Sequence, residues 1–206
     1  MSQVLIEPQV SLGYVTLRIR PAIEMTDDEF FALCQLNRDL RFERTSEGDI
    51  IIMPPTGGAT GIRNSSITGQ LYNWAKRDAT GAIFDSSTGF KLPNGADRSP
   101  DAAWIPLSRL KKLTAEQKQK FPPICPDFVI ELLSPTDTLA VTQAKMDEYI
   151  ENGAHLGWMI YPELRQVHVY RPRQGVVVLE NLLEVSADPE LPGFALDLRE
   201  IWEPNV

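Results

Sequence analysis

Sulfur and imidazole are scarce in this chain. Its 206 residues hold two cysteines, Cys34 and Cys125, and two histidines, His155 and His168. Two thiols build no disulfide framework and fit a reducing compartment. With so few histidines and no Cys-x-x-Cys, a zinc centre lacks its ligands. No apolar run approaches the ~20 residues that span a bilayer. The start, Met1-Ser2-Gln3-Val4, has neither the basic head nor the apolar stretch of a secretory signal. The expectation is a cytoplasmic protein with no membrane partner. A G-x-S-x-G elbow and a G-x-x-x-x-G-K-[ST] phosphate loop are also missing, which excludes two common catalytic classes. Positive charge is in deficit: 20 Lys and Arg stand against 28 Asp and Glu, a net charge of −8. That weighs against a nucleic-acid partner, whose phosphates usually meet a basic footprint. It does not exclude one. Only charge within a Debye length of roughly 8–10 Å acts on a cleft, and carboxylates clustered for a metal lower the total themselves.

What is present is ordinary in bulk. Hydrophobic content of 43% and charged content of 23% fit a globular protein with one sizeable core. No repeat, linker or low-complexity segment divides it, so residues 1–206 read as one domain, with an N-terminal arm over 1–24 and a core over 25–204. Val15, Leu17 and Ile19 alternate with polar residues, a strand or extended arm over 14–20. Thr26 and Glu29 form a capping box, with Met25 and Phe30 as a hydrophobic staple, and open a helix running to about Asp39. Segments 40–45 and 49–53 pair as a hairpin around Glu47-Gly48. Pro54-Pro55 ends it, and Gly57, Gly58 and Gly61 form a loop before a second helix. There Ile67, Leu71, Trp74 and Ala75 make one apolar face. Strands follow at 82–85, 88–92 and 101–105, with Asn94-Gly95 as a turn. A capping box at Thr114 and Gln117 starts a short helix to Lys120. Pro122-Pro123 and Pro126 isolate a strand over 127–133. A helix over 139–151 stops at Asn152-Gly153. Strands at 156–161, 166–171 and 176–180 follow, and the tail from Pro189 packs as an edge. The order of elements predicts a single α/β or α+β domain on a mixed sheet.

Three side chains carry the chemistry. Phe128-Val129-Ile130-Glu131-Leu132-Leu133 has both faces apolar, as a central covered strand does. A carboxylate there is costly unless neutralised. Asp101 opens its own strand after Pro100. Lys145 lies at the margin of the helix face made by Met146, Tyr149 and Ile150. Each has a plain alternative when read alone: Glu131 in a buried ion pair with an arginine, Asp101 as a turn former, Lys145 with its head in water. Together they fit one mechanism. Asp101, Glu131 and the backbone carbonyl of Leu132 hold Mg²⁺ or Mn²⁺, which prefers oxygen ligands and polarises a phosphate. Lys145 orients the nucleophile or steadies developing negative charge. Arg63 and Arg98 are candidate phosphate contacts; the alternative is ordinary surface arginines. His168, between Val167 and Val169, reads as a strand surface residue.

The pattern Pro100-Asp101, then Glu131 in an apolar strand, then a lysine resembles the restriction-endonuclease-like PD-(D/E)xK nucleases. The chain is more closely similar to a family of candidate endonucleases formerly catalogued as a domain of unknown function. The text that carries this runs Asp85-Ser86-Ser87-Thr88-Gly89-Phe90-Lys91-Leu92-Pro93-Asn94-Gly95, Arg98-Ser99-Pro100-Asp101-Ala102-Ala103-Trp104, Pro126-Asp127-Phe128-Val129-Ile130-Glu131-Leu132 with Ser134-Pro135, and Lys145 with Tyr149 and Gly157-Trp158. It spans about residues 25–204. The resemblance implies a restriction-endonuclease-like core with flanking helices behind an N-terminal helix and hairpin, Asp101 and Glu131 on the metal, and Lys145 as the catalytic lysine. DNA would be the substrate, and a homodimer would suit a domain that cuts one strand at a time. Two positions depart from the family pattern. Leu133 fills the slot two residues after Glu131, so Lys145 must serve from the helix. The stretch Gly57-Gly58-Ala59-Thr60-Gly61-Ile62-Arg63-Asn64 lacks the acidic residue or histidine that members commonly carry there. Two rivals stay open: a nuclease-fold protein acting as a nucleic-acid-binding or regulatory module, and a carboxylate-pair hydrolase such as a glycosidase with Asp101 and Glu131 as acid and base.

Overall fold

Capping and turn chemistry set the first layer. In the computed structural model, which describes residues 13–204, the Thr26 hydroxyl accepts from the Glu29 amide. The Glu29 carboxylate takes the Thr26 amide at 2.7 Å, and two of the four free donors of the helix start are thereby satisfied. Helix α1 (Asp27–Leu36) stops before the expected Asp39. There the Asn37 side chain bonds the Leu33 carbonyl at 2.8 Å and the chain turns. Strand β1 (Val15–Leu17) lies within the expected arm, whose residues 1–12 fall outside the described residues. It pairs antiparallel with β3 (Ile50–Met53), which forms the expected hairpin with β2 (Arg41–Arg44).

Helix α2 (Gly58–Asp78) begins earlier than its glycines predict. Gly58 and Gly61 are helical rather than looped. A helical glycine costs roughly 1 kcal/mol against alanine, and burial of Ile67, Leu71, Trp74 and Ala75 on the same helix outweighs it. Strands β4 (Gly81–Asp85), β5 (Phe90–Lys91), β6 (Asp97–Arg98) and β7 (Ala102–Pro106) follow. Gly95, at φ +94°, makes the turn between β5 and β6. A short helix α3 (Leu107–Leu110) and the capped α4 (Ala115–Gln119) lead to β8 (Phe128–Leu132). Helix α5 (Leu139–Glu151) then crosses to β9 (Leu156–Tyr161), and β10 (Gln166–Tyr170) and β11 (Val177–Glu180) fold back. The tail does not pack as a lone edge. It forms a ribbon of β12 (Glu184–Ser186) and β13 (Ala195–Asp197) and a turn of helix, α6 (Arg199–Trp202), because Phe194, Leu196 and Ile201 are drawn into the core.

The fold is mixed α/β. One sheet has the order β1-β3-β2-β6-β5. The other runs β11-β10-β9-β8-β7-β4 and is antiparallel except for β8 beside β9, the pair joined through α5. This second sheet is covered on both faces. Phe128, Ile130 and Trp158 meet Ile67, Leu71 and Trp74 of α2, while Val129, Leu133 and Met159 meet Met146 and Tyr149 of α5. Covering both faces also buries His168, which the sequence placed at the surface: it shares the α5 side of β10 with Tyr170 and is 6% exposed. Gly157 on β9 lets α5 come close, since a Cβ there would lie 2.5 Å from Met146 Cε. A third cluster, Phe30, Phe42 and Ile50, joins α1 to the first sheet. No helix among the described residues is long and apolar enough to cross a membrane.

Candidate functional site

The ladder between β7 and β8 sets Trp104 opposite Phe128, Ala103 opposite Val129 and Ala102 opposite Ile130. One step further, the same register brings Asp101 to Glu131 at the end of the sheet. Asp101 is fixed on both oxygens: Oδ2 accepts the Leu132 amide at 2.9 Å and Oδ1 accepts Asn64 Nδ2 of α2 at 3.1 Å. Glu131 falls on the face covered by α5, as the alternation of β8 requires. Its Oε1 lies 2.8 Å from Lys145 Nζ and accepts the Tyr149 hydroxyl at 3.0 Å. Lys145 precedes Met146 and stands one helical turn before Tyr149, so packing of those two apolar side chains aims the ammonium at β8. Leu133, in the usual lysine slot, is core.

A third carboxylate meets them. Glu43 of β2 is 3% exposed, and its Oε1 is 2.8 Å from Lys145 Nζ. The Ser99 amide donates to the same oxygen at 2.9 Å, and Arg98 Nη1 donates to Oε2 at 3.1 Å. The segment Arg98–Asp101 passes from the first sheet to the second, so one stretch of chain ties Glu43 to Asp101. The sequence reading missed Glu43. The signal was the one that singled out Glu131, a glutamate inside a strand, but here Arg41 and Arg44 share the strand and no run of apolar neighbours marks it as covered. Arg98 is turned inward: its Nε donates to Glu148 at 2.5 Å and its side chain is 11% exposed, while it also lines the cleft. Arg63 gives its Nε to the Ile201 carbonyl at 2.7 Å and still lines the cleft, as does Arg41. That cleft holds about 920 Å³ and is walled by Glu43, Asp101, Glu131 and Lys145, with Ala59 and the Ser134–Thr138 loop at its margins.

Electrostatics here is set by burial first. Burial pushes the Glu131 carboxyl up to about 7; the nearby Asp101 and Glu43 add to this and Lys145 opposes it. Asp101 is raised for the same first reason, against the Leu132 amide and Lys145. Burial would raise Glu43 too, but Lys145 and Arg98 hold it below the usual glutamate value. Burial works against the Lys145 charge, yet Glu131 and Glu43 outweigh it and lift its pKa. Six carboxylates line the cleft, Glu43, Glu47, Asp101, Glu131, Asp137 and Glu148, against four cationic groups, Arg41, Arg63, Arg98 and Lys145, leaving an excess of negative charge.

The donor set fits a hard cation. Asp101, Glu131 and the Leu132 carbonyl offer oxygen only, and the raised pKa values of the two acids express chiefly a burial cost on their charge that a divalent ion offsets. Among the described residues, no three Asp, Glu, His or Cys side chains converge as a ready cage. The Lys145 ammonium stands between Glu43 and Glu131. A pair of carboxylates suits Mg²⁺, which keeps several of its waters.

Comparison with known proteins agrees with this architecture. No curated protein matches the chain. A crystal structure from Anabaena variabilis ATCC 29413, described as a "putative nuclease belonging to DUF820", superposes with a TM-score of 0.70 at 21% identity. The match covers 87% of this chain and 98% of that one, and it speaks for the fold. The model of the Uma2 family, described as "Putative restriction endonuclease", matches residues 27–199. Most of the sequence lies inside that match, and the chain belongs to the Uma2 family and carries its restriction-endonuclease-like fold.

Proposed function

We propose that this protein is a Mg²⁺- or Mn²⁺-dependent endonuclease that hydrolyses DNA phosphodiester bonds. The observation that carries the reading is the meeting of Asp101, Glu131 and Lys145 in one cleft, with the ammonium 2.8 Å from the Glu131 carboxylate. Asp101, Glu131 and the Leu132 carbonyl would hold the metal. When bound, the ion supplies Lewis acidity to a phosphate oxygen and a more acidic water. The chain's own groups do the rest. The Leu132 amide and Asn64 fix the Asp101 rotamer. Lys145 places one positive charge where a phosphate develops negative charge. Arg41 and Arg63 line the cleft and would serve as basic contacts for a phosphate backbone. A carboxylate pair acting as glycosidase acid and base would give Lys145 no part, although it is paired directly with Glu131.

Supercoiled plasmid with Mn²⁺ is the test. Wild-type protein should yield nicked circles, or linear DNA directly if two copies act together. Lys145→Ala should lower the rate about 10²–10³-fold, the usual cost of one lost charge stabiliser. Mn²⁺ should also raise the melting temperature, by about 2.7 kcal/mol of stability at 100 times the dissociation constant. Asp101→Asn should abolish that rise while making the metal-free protein more stable. Failure of the wild type to respond to either metal overturns the reading. A metal response without cleavage favours the binding-module reading, for which Ala59 at the cleft margin speaks.

A further inference from the structure

Lys145 is held twice, by strands of different sheets. Its Nζ lies 2.8 Å from Glu131 Oε1 on β8 and 2.8 Å from Glu43 Oε1 on β2. On the nuclease reading above, on which this inference rests, Glu131 also takes the cation. A carboxylate that turns to a divalent ion loosens its hold on an ammonium, because the two positive charges repel. A lysine only 14% exposed would then be left as an uncompensated buried charge. Glu43 is built to prevent this. It stands outside the proposed metal-binding set, the Ser99 amide and Arg98 fix its two oxygens, and Glu148 fixes Arg98 in turn.

We propose that Glu43 is a positioning residue: the standing counter-ion that keeps the Lys145 ammonium at the cleft while Glu131 is given over to the metal. Glu43 then protects metal affinity indirectly, by removing the competition of Lys145 for Glu131.

Mn²⁺ binding by titration calorimetry tests this without any turnover. Glu43→Gln should weaken Mn²⁺ binding about tenfold, a coupling of ordinary size, because Lys145 is left with Glu131 alone. Adding Lys145→Met should restore the affinity to that of Lys145→Met by itself. Unchanged affinity in Glu43→Gln overturns the proposal. So does a loss that Lys145→Met does not repair, which would make Glu43 a metal ligand or a purely structural group. If Glu43→Gln fails to fold, Glu43→Asp, one methylene shorter, is read in the same way: loss repaired by Lys145→Met supports the proposal and unrepaired loss overturns it. A wild-type protein that binds no Mn²⁺ overturns the nuclease reading itself, and with it this one.

Discussion

A carboxylate in a fully covered strand is costly, and Glu131 is tolerated because it is 2.8 Å from an ammonium and accepts a tyrosine hydroxyl. Reading that residue from sequence was possible because five apolar neighbours surround it. Glu43 lies as deep but sits among arginines, and its burial depends on a second sheet closing over it. His168 makes the same point in the opposite sense. Its flanking valines looked like one face of an exposed strand, yet α5 covers the other face too. Burial lowers the His168 pKa below its ordinary 6.5. An unfolded chain therefore takes up this proton at a higher pH than the folded one. The stability tied to neutral His168 is present above 6.5 and is lost as pH falls through the folded value. We expect His168→Leu to remove that part of the acid sensitivity. Urea midpoints of the two proteins, measured from neutral to mildly acidic pH, should diverge as pH falls, with the variant falling less.

At the scale of elements, the site depends on how closely α5 lies on β8 and β9. The crossover between two parallel neighbours places the helix on the sheet, and the bare backbone of Gly157 leaves room between them for the Met146 methyl. A methyl group there would press on Met146, the residue next to Lys145. Gly157→Ala should cost about 1–3 kcal/mol, as overpacking does, and should lower plasmid cleavage along with stability, because the helix that shifts carries the ammonium. Urea unfolding gives the first quantity and the nicking rate the second. Cleavage at the wild-type rate in a destabilised Gly157→Ala protein would show that Lys145 keeps its place independently of α5 packing. The two capped helix starts were legible, since both capping boxes form as written, at Thr26 and at Thr114. The glycines at the head of α2 misled, because local backbone freedom was outweighed by burial further along the same helix.

For the molecule as a whole, the two sheets are linked by Arg98–Asp101 and by the ion pairs of Glu43 with Lys145 and of Arg98 with Glu148, both partners on α5. Breaking either sheet strands buried charge in the other. We therefore propose that the chain is one domain, and expect a single thermal transition whose calorimetric and van't Hoff enthalpies agree. Two separated transitions would instead assign β1, β2, β3, β5 and β6 to an independent unit. The net charge of −8 does not set the sign of the potential inside the cleft. Arg41 and Arg63 line it alongside the carboxylates, and screening limits what the distant acidic surface contributes.

Local chemistry alone determined much of this protein. Alternation, caps and turn residues act within a few positions, so the hairpin, the covered strand β8, the helix α5 and the candidate trio Asp101, Glu131 and Lys145 could be read along the chain. Tertiary structure decided what depends on distant segments closing on one another. The depth of Glu43 and His168, the inward commitment of Arg98, the helical start at Gly58 and the ribbon that seals the tail all follow from burial. Burial is a property of the folded surface, and no short stretch of sequence contains it.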